Sequence, residues 1–149
     1  MDGPPGTARP PQSSPAMLLA LHGRSVTDAL EARLREIGLS LRQLGILGHL
    51  QRDPGLSFTD VAARARITVQ SVHTIVQHLI DADLVTATDR VRGRAALLEL
   101  SPAGRHRLAE AEAAVRAVDE AWFGADAEAS WRALGDALRT VRPHSRPEG

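Results

Sequence analysis

The sequence predicts a mainly α-helical fold with a small β-hairpin wing: a winged helix-turn-helix between N- and C-terminal dimerisation helices. Three observations predict it. Residues 57–86, SFTDVAARARITVQSVHTIVQHLIDADLVT, encode two short helices meeting at a sharp angle and then a strand. Two short apolar runs, 84–88 and 95–100, flank a tip containing Gly93, whose freedom to take positive φ suits a tight hairpin. Long apolar-striped segments precede and follow this unit, which has little surface left to cover them.

Composition sets limits. The chain has 149 residues, of which 43% are hydrophobic and only 3% aromatic, so its core must be built from Leu, Ala, Val and Ile. There is no cysteine, which excludes disulfides, thiol redox sensing and Cys-based zinc sites. The formal net charge is zero, so any attraction to nucleic acid must come from local clusters of Arg. All 18 basic side chains are Arg. No apolar run approaches the ~18 residues that span a bilayer, and the patch at residues 16–21 is too short and poorly flanked for a secretory signal. A cytoplasmic protein without membrane contact is expected.

Residues 1–14, MDGPPGTARPPQSS, have nothing to bury and are expected to form a disordered tail. Residues 15–37 are expected to form an N-terminal dimerisation helix. Pro15 suits its first turn and Gly38 its end. Leu18, Leu21, Val26, Leu30, Leu34 and Ile37 make its stripe.

Residues 38–100 form the expected winged unit. Ser40 opens a helix with Gln43 as its capping-box partner. Leu41, Leu44, Leu47 and Leu50 form the expected buried side. Gly45 and Gly48 sit inside that helix at a cost of roughly 0.5–1 kcal/mol each relative to Ala. Close helix packing is the first explanation, and space for a small ligand beside the helix is the second. Asp53-Pro54-Gly55 then makes a turn.

Ser57 and Asp60 begin the next helix, with Val61, Ala62 and Ala65 on its apolar face. The chain breaks around Arg66 and Ile67. Thr68 caps a second helix whose Val72, Ile75, Val76 and Leu79 share one side. The opposite side carries the candidate DNA-reading residues Thr68, Val69, Gln70, Ser71, His73, Thr74 and Gln77. In a helix-turn-helix this second helix lies in the major groove. Arg90, Arg92 and Arg94, at the hairpin tip, are the densest basic spot in the chain. They are the candidate wing contacts to a narrow minor groove, which concentrates negative potential.

Residues 101–142 are expected to form two C-terminal dimerisation helices. Ser101 and Pro102 start the first, Gly124 breaks it, and Asp126 is expected to cap the second. Leu108, Ala111, Val115, Val118 and Trp122 repeat at spacings of three and four, as do Trp131, Leu134, Leu138 and Val141. The expected dimer interface comprises Leu18, Leu21, Leu108, Val115, Val118, Trp122, Trp131, Leu134, Leu138 and Val141. Residues 143–149 are expected to fray. A two-fold dimer would present two recognition helices about one DNA turn apart, ~34–36 Å.

The order of elements resembles the MarR family of bacterial transcription regulators, from about Leu18 to Val141. Its most specific pieces are GLSLRQLGIL at 38–47, the segment FTDVAARARITVQSVHTIVQHL, and RGRAALLELSPAG at 92–104. The resemblance implies an obligate dimer made by the terminal helices and binding a pseudo-palindromic operator. It also implies repression relieved by a small, often phenolic or anionic, effector between the dimer helices and the DNA-binding lobe. By the same resemblance Arg94 is the wing Arg that enters the minor groove, and 68–74 start the recognition helix. Three departures from the family pattern, at four positions, stand out. Arg92 stands where an acidic residue is usual, Arg66 where the inter-helix turn usually has Gly, and Val69 and Thr74 where Arg is common. Sequence readout then rests on Gln70, Ser71, His73 and Gln77; Gln pairs well with adenine.

Other chemistry leaves few traces. No H-E-x-x-H, G-x-S-x-G or Gly-rich phosphate loop occurs, so no enzyme is expected. His73 and His78 are five residues apart on one helix and point ~140° away from each other, while His22, His49, His106 and His144 lie on separate segments. No cofactor or metal is expected. The expected partners are double-stranded DNA, a second copy of the chain and a small-molecule effector. The competing reading is a winged-helix protein-interaction module that dimerises without specific DNA binding. The neutral charge and Arg-free recognition helix favour it. The three-Arg wing, and an open turn at 68–71 able to cradle a phosphate, oppose it.

Overall fold

The computed structural model describes residues 14–88 and 95–141. Six helices and three short strands follow in the order α1 (Pro15–Glu36), α2 (Leu41–Arg52), β1 (Leu56–Ser57), α3 (Phe58–Ala65), α4 (Val69–Asp81), β2 (Val85–Ala87), β3 (Leu97–Leu100), α5 (Pro102–Phe123) and α6 (Ala129–Thr140). No helix among the described residues is long and apolar enough to cross a membrane.

Local chemistry sets most helix starts. At α2 the Gln43 N–H donates to the Ser40 hydroxyl at 3.2 Å, and the Ser40 N–H donates to the Gln43 side-chain oxygen at 2.8 Å. Glu31 of α1 accepts from the Leu41 N–H at 3.0 Å, tying the long helix to the start of α2. Ser57 and Asp60 form the same reciprocal box at α3. Thr68 caps α4 through the Ser71 N–H at 3.1 Å. Ser101 caps α5 by accepting from the Gly104 N–H at 2.8 Å and donates its own hydroxyl to the Asp83 carbonyl at 2.5 Å. Each box satisfies backbone donors that a helix start leaves orphaned. The last helix departs from expectation. Its N-cap is Glu128 with no side-chain cap, so Asp126 lies in the preceding turn and caps nothing.

The sheet is three-stranded and antiparallel in the order β1-β3-β2. Leu56 pairs with Leu98, and Val85 with Leu100. The strands after α4 are shorter than the runs expected at 84–88 and 95–100. The expected hairpin tip, with Asp89, Arg90, Arg92, Gly93 and Arg94, lies outside the described residues, as do the two expected tails apart from Ser14.

The core sits where α2, α3, α4, the sheet and α5 meet. Leu34, Leu47, Val61, Val72, Val76 and Leu98 are fully enclosed there. Ile46 joins them at 1% exposure, while Leu41 and Leu44, expected on the buried side of α2, are only half-buried at its edge. Close packing does not explain Gly45 or Gly48. A Cβ at Gly45 would meet nothing within 4 Å, and one at Gly48 would meet only the tip of Arg52.

The terminal helices pack on each other within one chain, α1 and α6 both lying against α5. Leu108 therefore belongs to the chain's own core, and Val118 is 4% exposed. Neither has surface left for a second copy, which corrects their assignment to a dimer interface. Trp131 packs edge-on against Trp122 at 5.2 Å and against His22 at 5.1 Å, closing the α1–α5–α6 corner. Leu18, Leu21, Leu138 and Val141 stay exposed, together with Met17 and Leu19.

Candidate nucleic-acid interface

Helix α4 has one dry side and one wet side. Val72, Val76 and Leu79 are buried, whereas Thr68, Val69, Gln70, His73, Thr74 and Gln77 are exposed and Ser71 is half-covered. The 3.6-residue period produces this split. The turn before α4 is held by Arg66, which adopts the left-handed conformation at φ 55°. That conformation normally costs a side chain roughly 1–2 kcal/mol relative to Gly. The Ile67 N–H donates back to the Ala62 carbonyl at 3.2 Å, fixing the turn.

The outward side chains differ in how free they are. The Thr68 and Ser71 hydroxyls are 2.8 Å apart and share one hydrogen bond. The Thr74 hydroxyl donates to the Gln70 carbonyl at 3.2 Å, which leaves its oxygen able to accept. The Gln77 amide nitrogen donates to Asp81 at 2.8 Å, so its carbonyl oxygen is its free end. Among the described residues the Gln70 amide has no side-chain partner. Val69 is 40% exposed, an uncovered branched side chain in the first turn. The His73 ring stacks on Phe58 with centroids 4.0 Å apart and planes at 12°.

Sequence reasoning found the exposed side of α4 but missed what braces it. Phe58 and Asp81 were not singled out. Asp81 had a local signal, since it follows Gln77 by one helical turn. Phe58 and His73 belong to different helices, and only the fold brings them together.

A second basic region, not singled out by sequence pattern, lies on α2 and α3. Arg64 bonds to Asp53, and the Arg52 guanidinium donates to His49 Nδ1 at 3.0 Å. Burial, then the charges of Arg52 and Arg64, hold the His49 pKa below its ordinary value. No group of three or more potential metal ligands occurs among the described residues.

Comparison with known proteins places this arrangement. The sequence model of the MarR family matches residues 37–95. The HTH-type transcriptional repressor Rv2887 of Mycobacterium tuberculosis is 35% identical over 103 residues, covering 68% of this chain and 74% of the relative. The crystal structure of that MarR family protein in complex with DNA superposes with a TM-score of 0.70 at 28% identity, covering 85% of this chain and 96% of the other. Its complex with salicylic acid gives 0.65 at 30% identity, with 85% and 95% covered. The apo form of wild-type MarR from E. coli shares the fold, with a TM-score of 0.72 at 12% identity and coverage of 87% and 98%. With its helix-turn-helix, its three-stranded sheet and its flanking helices in that order, the chain belongs to the MarR family of winged helix-turn-helix transcriptional regulators.

Proposed function

We propose that this regulator is a dimeric, ligand-responsive repressor that reads a pseudo-palindromic operator with helix α4 and the wing. The observation that carries the reading is the wet side of α4. Six of its seven candidate residues are exposed, on a helix whose other side is locked into the core. Gln70, His73, Thr74 and the Gln77 carbonyl offer donors and acceptors to base edges. The exposed Arg66 lies at the turn beside them, where a phosphate would run. The relative's complexes with DNA and with salicylic acid support both the partner and the ligand response.

Dimerisation is supported by apolar surface. Met17, Leu18, Leu19 and Leu21 near the start of α1, and Leu138 and Val141 at the end of α6, are all more than a third exposed. Side chains of that kind on two terminal helices call for a covering partner, and a two-fold copy would cover both sets at once. Val115, Trp122, Trp131 and Leu134 are half-buried and would border that contact.

Selection of bound fragments from random duplex DNA tests the reading. A paired motif with half-sites one helical turn apart is expected. Arg94→Ala should then weaken binding and lower the salt slope by about one. Sedimentation should give a dimer, and Leu21→Glu with Leu138→Glu a monomer. A folded dimer that selects no motif and ignores duplex DNA in dilute salt would favour the interaction module instead.

A further inference from the structure

The chain passes between the terminal helices and the winged unit at two joints. One is residues 37–40, between α1 and α2, and the other is residue 101, between β3 and α5. Helix α5 holds both. At the second joint the Arg105 guanidinium donates to the Leu100 carbonyl at 2.9 Å. At the first, Arg107 donates to the Ile37 carbonyl, 70 positions back along the chain. Side chains two residues apart leave a helix ~200° from each other, so one helix reaches both joints.

The first joint is held from two sides. Ile37 is the C-cap of α1, and Gly38 turns the chain there at φ 72°. The Gly38 and Leu39 N–H groups return to the Arg35 and Leu34 carbonyls at 3.0 and 2.9 Å. Those bonds satisfy the helix end and leave the Ile37 carbonyl to Arg107. A Cβ at Gly38 would come within 3.4 Å of Arg107 Nη1, so the glycine also leaves room for the guanidinium. Glu110 holds Arg107 through Nε at 3.0 Å. Opposite, Glu31 accepts from the Leu41 N–H at 3.0 Å. The caps of α2, α3, α4 and α5 use residues three positions away. Here, in addition, side chains from α1 and α5 close the joint.

We propose that Arg107, held by Glu110 and opposed by Glu31, is a positioning residue. It fixes the angle of the winged unit against the terminal helices and so sets the one half-site spacing that the dimer accepts. This rests on the dimeric DNA-binding reading above. The winged unit is an arm on the order of 20 Å long, so a rotation of ~10° at the joint moves α4 by roughly 3.5 Å, about the rise of one base pair. A loose joint would let α4 follow a half-site displaced by one base pair; a clamped joint would not. Arg107 pairs with Ile37 and Glu110 and with no group of α4, so its loss should spare the phosphate contacts.

Affinity for the operator that the parent chain selects, and for duplexes with its half-sites one base pair closer or farther, tests this. The parent should bind either shifted duplex at least about thirtyfold more weakly. Arg107→Met keeps the stem and removes the donors; it should lose less than about fivefold on the shifts, with an unchanged salt slope. Arg107→Lys can still donate to the Ile37 carbonyl and should restore discrimination. Ile46→Val thins the core of the winged unit and should discriminate as the parent does, which separates positioning from stability. A second measurement needs no DNA. The chain has no cysteine, so spin labels on His78→Cys in α4 and Ala133→Cys in α6, both exposed, have no competing sites. Diluted with unlabelled chain, the pair reports the angle between the two parts of one protomer. Arg107→Met should widen its distance distribution about twofold. Widening in a chain that binds no duplex would support the clamp and remove the DNA-binding reading beneath it. An unchanged distribution, or parent-like discrimination by Arg107→Met, would overturn the proposal.

Discussion

The imidazole of His73 lies nearly flat on the ring of Phe58, centroids 4.0 Å apart and planes 12° from parallel. A residue of α4, the candidate recognition helix, is thus braced by α3. Stacking covers one face of the imidazole and leaves its nitrogens at the ring edge, where a base could meet them. Such a pair contributes about 0.5–1.5 kcal/mol beyond simple burial. Phe58→Leu keeps an apolar contact with the core and removes the stack. In urea unfolding, a double-mutant cycle of Phe58→Leu and His73→Ala should give a coupling of about 0.5–1.5 kcal/mol. Phe58→Leu should also blunt operator discrimination while leaving the salt slope unchanged. A coupling near zero would make the stack incidental.

Two glycines make opposite predictions. A Cβ at Gly104 would fall on the Leu84 carbonyl, with the Leu84 carbonyl carbon only 2.9 Å away. That carbonyl also accepts from the Ser101 N–H at 3.1 Å, so the backbone there cannot yield without breaking the exit of the sheet. Gly104→Ala should cost about 2 kcal/mol or more. Gly45→Ala meets open space and should stabilise by roughly 0.5–1 kcal/mol. Thermal unfolding of the two variants checks both signs at once.

Legibility in the sequence followed the range of the interaction. Ser40 with Gln43, Ser57 with Asp60, and Thr68 and Ser101 with their first turns were readable because a cap and its partner lie three residues apart. The wet side of α4 was readable because helical period alone defines it. Strand β1 was missed. It is two residues long, and its partner, Leu98 for Leu56, lies far along the chain. Leu108 and Val118 were assigned to the wrong neighbour, because an apolar stripe records that it is covered and not by what. The clamp between α1 and α2 escaped for a related reason. Gly38 marked the turn, but Arg107 reaches it only in three dimensions.

Acid should act on the fold in two steps. The His49 pKa is lowered from 6.5 by burial and by Arg52 and Arg64. The unfolded chain therefore binds the proton more readily, and stability falls as pH drops below 6.5 toward the folded value. The Asp60 pKa is lowered from 3.8, first by the hydrogen bond from the Ser57 hydroxyl and then by its backbone N–H. Its contribution is complete above 3.8 and is lost as pH falls through the folded value. His49→Gln should flatten the upper part of the stability profile, and Asp60→Asn the lower part. Ser57→Ala should weaken the same low-pH dependence, keeping only the part due to the backbone N–H, and cost about 1 kcal/mol at neutral pH through the lost cap. Urea midpoints across the range separate the two steps.

Val69 yields the sharpest prediction about readout. It is 40% exposed in the first turn of α4, next to Gln70. An Arg here would reach for guanine or phosphate; a branched apolar side chain instead suits the thymine methyl. With Gln70 suited to adenine, each half-site should hold an A·T step under this turn. Replacing that thymine by uracil deletes one methyl group and leaves every hydrogen-bonding edge intact. Burial of a methyl is worth about 0.8 kcal/mol, so substitution in both half-sites should weaken binding by about 1.6 kcal/mol, roughly fifteenfold. The Val69→Ala protein should bind the thymine and uracil operators nearly equally, because it has lost the surface that senses the methyl. Equal affinity of the parent protein for both operators would show that Val69 faces the backbone, and readout would then fall to Gln70 and the braced ring of His73.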